Sequence, residues 1–246
     1  MKKHTEIVGI ILAGGSGSRL LPCTKVTNKH LLPIGDMPMI FYPLKKLVGA
    51  GIIDILIVTG TEHMGDFISL LGSGKDFGCR LTYRVQDEAG GIAQALALAE
   101  RFANGQPMCV ILGDNIFENS IDSTISTFMK DPNTAHIILK EVADADRFGV
   151  AIINGDRIVE IIEKPASPPT QFAVTGIYCY PGDVFDIIKG LKPSPRNELE
   201  ITDVNNAYIK AGRLGYSIFN GYWSDAGTFP SLAKANELVM QSAPNF

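Results

Sequence analysis

Four strand-like runs in the first half of the chain, "IVGIIL" (7–12), "DILIVTG" (54–60), "RLTYRVQ" (80–86) and "MCVILGD" (108–114), alternate with segments of helical period. The intervening segments are "PMIFYPLKKLVGAG", read as a helix with Pro38 near its start, "HMGDFISLLG", and "GIAQALALAERFA", whose Ile92, Ala95, Leu96, Ala99 and Phe102 share one face. This alternation predicts a mostly parallel sheet with helices on both faces and ligands at the carboxyl ends of the strands. Past residue 135 the strand-like runs crowd together as "AHIILKEV", "GVAIIN", "RIVEIIEK" and "VTGIYCYP", and "NGD" (154–156) signals a hairpin, so antiparallel strands join the sheet. "GDVFDIIKGL", "EITDVNNAYIKAG" and "TFPSLAKANELVMQ" read as helices, the last with Thr228 as N-cap. The expected fold is α/β: a Rossmann-like mixed, mostly parallel central sheet with helices on both faces and a smaller α+β lobe. A chain of 246 residues, 46% apolar, can bury a sizeable core, and it contains no linker, repeat or low-complexity segment. It reads as one domain, 1–246, with lobes of about 1–115 and 116–246.

Charge narrows the partners. A net charge of −4 gives no general attraction to a polyanion, so nucleic acid is not an expected partner and any phosphate chemistry needs locally placed cations. The leading "MKKHTE" is followed by only six apolar-leaning residues before the glycines, and no apolar run approaches the ~20 residues of a membrane span. Cys23, Cys79, Cys109 and Cys179 show no C-x-x-C spacing and read as reduced small hydrophobes in a cytoplasmic protein. His4, His63 and His136 fall in a tail, at a helix start and in a strand, which argues against a metal triad.

The first strand runs into "AGGSGSR", where glycines leave backbone N–H groups free to face an anion. Leu20 stands where a dinucleotide fingerprint needs its last glycine, and no Lys-Ser/Thr pair follows at Walker spacing, so both motifs are excluded. What remains is a loop carrying Arg19, with Lys29 ten residues on. Two such cations can clamp a polyphosphate, although the same letters also suit a plain βα turn with solvated charges. Downstream, Asp114 ends an apolar strand in "LGDNIF" and Asp225 precedes a helix start in "GYWSDAGT". Two strand-end carboxylates can share a hard cation such as Mg²⁺; they can equally cap turns.

Together, "GIILAGGSGSRLLPCTK…NKHLLPIGDMPMIFYPL", "YRVQDEAGGIAQAL", "VILGDNIF", "RFGVA", "EKP", "VTGIY", "NELEITDVN" and "YWSDAGT" resemble the sugar-1-phosphate nucleotidyltransferases over residues 7–240, and among them the glucose-1-phosphate thymidylyltransferases. The resemblance implies a nucleotide-binding first lobe and a sugar-binding second lobe. Leu12, Gly14, Gly15, Ser16 and Gly17 would wrap the nucleoside triphosphate, Arg19 would hold its pyrophosphate half and Lys29 would lie by the α-phosphorus. Gln86 would read the pyrimidine edge, with Gly91 against the base. Lys164 would hold the sugar phosphate, Glu163 would accept from sugar hydroxyls, and Asn115, Gly149, Val174 and Thr175 would shape the pocket, with Trp223 near its phosphate end. Asp114 and Asp225 would bind Mg²⁺. The implied reaction joins a sugar-1-phosphate to dTTP or UTP in a cytoplasmic homo-oligomer; the alternative on the same fold is a non-catalytic nucleotide-sugar-binding regulatory subunit.

Two positions depart from the family pattern: His30 replaces a usual Gln and Phe148 a usual Tyr, which bears on sugar and base identity rather than on the reaction. The chain ends soon after "LAKANELVMQ", as expected of a short form without the helices that build a regulatory nucleotide site.

Overall fold

A computed structural model describes residues 6–246; His4 lies outside the described residues. The strands are β1 (Val8–Ala13), β2 (Pro33–Ile34), β3 (Met37–Pro38), β4 (Asp54–Gly60), β5 (Arg80–Gln86), β6 (Met108–Leu112), β7 (Asn115–Phe117), β8 (Ala135–Glu141), β9 (Gly149–Asn154), β10 (Arg157–Glu163), β11 (Phe172–Tyr180), β12 (Leu214–Ile218) and β13 (Trp223–Asp225). The helices are α1 (Phe41–Gly49), α2 (Met64–Leu71), α3 (Ile92–Ala97), α4 (Glu100–Ala103), α5 (Asp122–Phe128), α6 (Val184–Lys189), α7 (Ile201–Lys210) and α8 (Phe229–Gln241).

A nine-stranded sheet runs in the order β10-β9-β11-β6-β1-β4-β5, with β8 paired to β11 and β12 to β8. Strands β6, β1, β4 and β5 are parallel, as the alternation predicts, and β9, β10 and β11 enter antiparallel, β9 and β10 as the hairpin closed by "NGD". Because successive strand residues face opposite sides, Val8, Ile10, Leu56, Val58, Met108 and Val110 enter one core with residues of α3, α4, α6 and α7. Ile11, Ala13, Ile55, Ile57, Cys109 and Ile111 enter the other with α1, α2 and α5. Continuous burial of β1 on both faces explains why its sequence shows no polar alternation.

Two local differences from the sequence reading have clear causes. Helix α1 begins at Phe41, because Pro38 pairs with Pro33 in a small ribbon; Pro43 supplies the first-turn proline, where an N–H would have had no helical partner. The segment "GIAQALALAERFA" divides into α3 and α4, since Leu98 and Ala99 bond to Ala95 and Leu96 in the tighter i→i−3 pattern. Thr228 caps α8 as expected, within a reciprocal capping box with Ser231.

The site is positioned by features that local periodicity does not reveal. The ribbon of β7 and β13 places Asp225 opposite Asn115 and Trp223 opposite Phe117. Strand β11 loses its register with β8 between Val174 and Tyr178, which frees the Gly176 N–H to donate to Asn115 Oδ1 of β7 at 3.1 Å.

Candidate active site

A cleft of about 690 Å³ opens where the carboxyl ends of β1, β5 and β6 meet the β7–β13 ribbon and the hairpin strands. Every site residue assigned from the sequence lines it except Ser16 and Gly17, and Trp223, His30 and Phe148 line it too. Ser16 is exposed, and Gly17 packs against Thr24, whose hydroxyl donates to the Gly17 carbonyl at 2.8 Å. Gly15, at φ 94°, takes a backbone path that side chains disfavour, and a Cβ there would meet open space. A Cβ on Gly14 would come within 2.3 Å of Gln86 Oε1. Gln86 itself is buried, with Nε2 donating to Gln94 Oε1 at 2.6 Å.

Lys29 starts a single helical turn whose cap is Asn28, the acceptor for the His30 N–H. Its Nζ donates to Asp114 Oδ2 at 2.5 Å, with both side chains only 14% exposed. Burial pushes the Asp114 carboxyl up, but the Lys29 charge and hydrogen bond more than offset it and hold the group well below the carboxylate range. His30 is pushed down to about 3 by burial and by Lys29, which leaves it neutral. It packs tightly over Gly113, whose Cβ would lie 2.7 Å from the ring.

Asn115 knits the centre together. Its Nδ2 donates to Asp114 Oδ1 at 3.0 Å, and its Oδ1 accepts from Trp223 Nε1 at 2.7 Å and from the Gly176 N–H at 3.1 Å. Asp225 accepts from Arg147 Nη2 through both oxygens, each at 2.8 Å; burial still raises its carboxyl despite that partner. A Cβ built on Gly227 would lie 3.4 Å from Arg19 Nη2, 3.4 Å from Asp114 Oδ2 and 3.8 Å from Asp225 Oδ2. Three groups separated by up to 206 positions in the sequence therefore face one point. Among the described residues no group of three or more His, Cys, Asp or Glu could hold a metal ion. This carboxylate pair could hold a hard divalent cation only with water or substrate oxygens completing its coordination.

On the far side, Glu163 accepts from Thr202 Oγ1 at 2.5 Å and Arg196 Nη2 at 3.2 Å. Lys164 Nζ stands 3.4 Å from Glu163 Oε1, on a residue held at φ 44°, a conformation uncommon outside glycine. Its N–H donates to the Phe148 carbonyl at 3.0 Å, which ties "EKP" to "RFGVA". Gly149 packs against Ile161 and Thr202, and Gly91 against the Leu199 backbone. Val174 and Thr175 lie in the irregular part of β11, where the Thr175 hydroxyl donates to the Ile138 carbonyl at 3.0 Å.

Sequence reasoning missed Arg147, Arg196, Glu198, Glu200 and Thr202, all of which line the cleft. Arg196 pairs with Glu200 at 2.9 Å and Glu163 at 3.2 Å. The available signal was position: Arg147 opens "RFGVA", Arg196 precedes "NELEITDVN", and Thr202 lies within it.

Comparison with known proteins decides the lineage. The family model described as Nucleotidyl transferase matches residues 8–242. The chain belongs to this nucleotidyl transferase family. The nucleotidyltransferase is 44% identical over 239 residues to glucose-1-phosphate thymidylyltransferase of Xanthomonas campestris, an alignment covering 96% of this chain and 81% of the relative. It is 40% identical over 235 residues to the enzyme of that name from Mycobacterium tuberculosis, covering 94% and 81%. Among solved structures, a Bacillus anthracis protein assigned as a glucose-1-phosphate thymidylyltransferase and solved with sucrose superposes with a TM-score of 0.92 at 55% identity, over 98% of this chain and 97% of that one. A UDP-glucose pyrophosphorylase complexed with UDP-glucose gives 0.85 at 26% identity, over 98% and 99%. The resemblance read from the sequence motifs therefore holds, and so does the enzyme class, a sugar-1-phosphate nucleotidyltransferase.

Proposed function

We propose that this nucleotidyltransferase joins glucose-1-phosphate to dTTP, releasing pyrophosphate, by one in-line displacement at the α-phosphorus with inversion. The observation that carries the reading is the convergence of Arg19, Asp114 and Asp225 on one point beside Lys29, in a cleft that Lys164 and Glu163 line from the other side. The names of relatives at 40–44% identity favour dTTP; the neighbour holding UDP-glucose keeps UTP as the second nucleotide to test.

Charge explains what the residues contribute. A sugar-1-phosphate, with a second pKa of about 6, is near its dianion at pH 7, so its oxygen attacks without a general base. The obstacle is repulsion between two anions, about 4 kcal/mol for each pair of unit charges 4 Å apart at an effective dielectric of 20. In this reading Lys164 and Arg196 neutralise the sugar phosphate, Lys29 lies by the α-phosphorus, and Arg19 balances charge on the departing pyrophosphate. Leu12, Gly14 and Gly15 line the path of the triphosphate, with Ser16 and Gly17 continuing the same loop outside the cleft wall; Gln86 and Gly91 meet the base, and Asn115, Gly149, Glu163, Val174 and Thr175 shape the sugar pocket. Asp114 and Asp225 would hold Mg²⁺, which when bound supplies charge neutralisation and alignment of phosphate oxygens. The nucleotide half would be residues 1–115 and the sugar half 116–246 of one domain. The free thiols support a reducing, cytoplasmic setting, and assembly as a homo-oligomer belongs to the same reading.

The deciding experiment is pyrophosphate release measured for dTTP and UTP against a panel of sugar-1-phosphates, with Arg19→Ala and Lys29→Ala alongside. Both variants are expected to lose kcat far more than they raise KM. Wild-type kcat in both removes Arg19 and Lys29 from the reaction, and no release with any pair overturns the assignment and favours a binding subunit.

A further inference from the structure

The carboxylate that the proposed reaction needs for its cation is already taken. Arg147 Nη2 donates to both oxygens of Asp225 at 2.8 Å, and Nη1 donates to Asp144 Oδ2 at 2.7 Å. The guanidinium lies 5.0 Å from the Phe148 ring centroid. Arg147 lines the main cleft and also a second cavity of about 460 Å³ that shares Phe148, Trp223 and Asp225 with it. Asp114 is likewise engaged, by Lys29.

We propose that Arg147 is a resident counter-ion of Asp225 that competes with the divalent cation for it, so that the free protein holds the cation weakly and the nucleotide complex holds it well. The proposal rests on the reading of Asp225 as a cation ligand. A guanidinium bonded to both oxygens and a cation drawn to the same oxygens exclude each other by contact and by charge. A bare cation entering the resting cleft must break the Arg147 pair with nothing in return. A cation arriving with a triphosphate brings anionic oxygens that give the displaced guanidinium a new partner, so the exchange then conserves paired charges. Asp144 and Phe148 keep Arg147 at the cleft wall during the exchange, because neither contact involves Asp225. This makes Arg147 a positioning residue, one that links cation affinity to nucleotide occupancy.

The test measures Mn²⁺ binding by the loss of the free-ion electron paramagnetic resonance signal, with and without saturating dTTP, in the full chain. Without nucleotide, Arg147→Gln should bind Mn²⁺ about tenfold more tightly than wild type, Arg147→Lys should fall between them, and adding Asp225→Asn to Arg147→Gln should erase the gain. With dTTP the advantage of Arg147→Gln should disappear. Equal or weaker nucleotide-free binding by Arg147→Gln, while Asp225→Asn still weakens Mn²⁺ binding with dTTP, overturns the competition alone. A gain in Arg147→Gln with Arg147→Lys identical to wild type also overturns it, because a diffuse field of charge would then explain the result. If Asp225→Asn changes nothing in any background, the reading of Asp225 as a ligand fails instead.

Discussion

Replacing Lys29 with Met removes the ammonium while keeping most of the stem, and it leaves Asp114 with Asn115 Nδ2 as its side-chain donor at 3.0 Å. Removing one partner of a fully buried ion pair costs about 3–5 kcal/mol, because the remaining charge is stranded. Here both side chains keep 14% exposure and the Asn115 bond persists, so the expected loss at neutral pH is about 2–3 kcal/mol, a large share of a typical total near 10. Pyrophosphate release falls as well, and the two losses can be separated. In Lys29→Met/Asp114→Asn the stranded charge is gone, so most of the stability returns while the activity does not. The pH dependence has a defined sign. The wild-type Asp114 carboxyl titrates below its unfolded value, so its contribution is complete at neutral pH and is lost as pH falls through the depressed folded value. In the variant, burial acts without the ammonium and raises the folded value above the unfolded one, so acidification relieves the variant. The gap between the two proteins should be widest near pH 7 and narrow toward about pH 4. Urea denaturation across that range is the measurement. A gap under about 1 kcal/mol, a gap flat with pH, or no recovery in the double variant refutes the reasoning.

Two further outcomes are expected. Gly14→Ala would push a methyl to within 2.3 Å of Gln86 Oε1, so nucleotide KM should rise several-fold with the melting temperature little changed; an unchanged KM removes Gln86 from the base site. Lys46 is buried, donates to the carbonyls of Glu118, Asn119 and Asn245, and is pushed down to about 8 by burial, against the opposing pull of Glu118 and Asp122. Between that value and the unfolded lysine value the unfolded chain binds more protons, so wild-type stability should gain relative to Lys46→Met as pH rises above 8, and thermal melts showing no relative gain would exclude the downward shift.

The sequence was most informative where structure is local. Runs such as "DILIVTG" and "RLTYRVQ" coincide with β4 and β5, because a strand buried on both faces carries a continuous apolar run and a half-exposed edge strand alternates apolar with polar residues. The element boundaries that failed did so through competition. Pro38 satisfies a helix-start rule and a ribbon equally well, and only the pairing with Pro33 separates them. Strand β12 escaped notice because "LGYSI" lies at the sheet edge with partly exposed residues, and β7 and β13 because three-residue strands carry no period. Arg147 and Arg196 were missed for a different reason. Nothing in the letters distinguishes an arginine whose fork meets Asp225 or Glu200 across the fold from one on a solvated turn.

The same long-range pairing explains how a chain of net charge −4 can offer a cationic cleft without unfolding around it. Unpaired cations crowded in one half-buried cleft would repel one another and favour the unfolded chain. Instead, Lys29 sits on Asp114, Arg147 on Asp225 and Asp144, Arg196 on Glu200 and Glu163, and Lys164 beside Glu163. Lys29, Arg147, Arg196 and Lys164 are thus each neutralised by a carboxylate in the resting cleft. On the proposed reading, substrate binding exchanges carboxylate partners for phosphate partners, at a cost far below that of first exposing bare cations. Two of the carboxylates so released, Asp114 and Asp225, are the ones that face a common point with Arg19, where a divalent cation would complete the exchange.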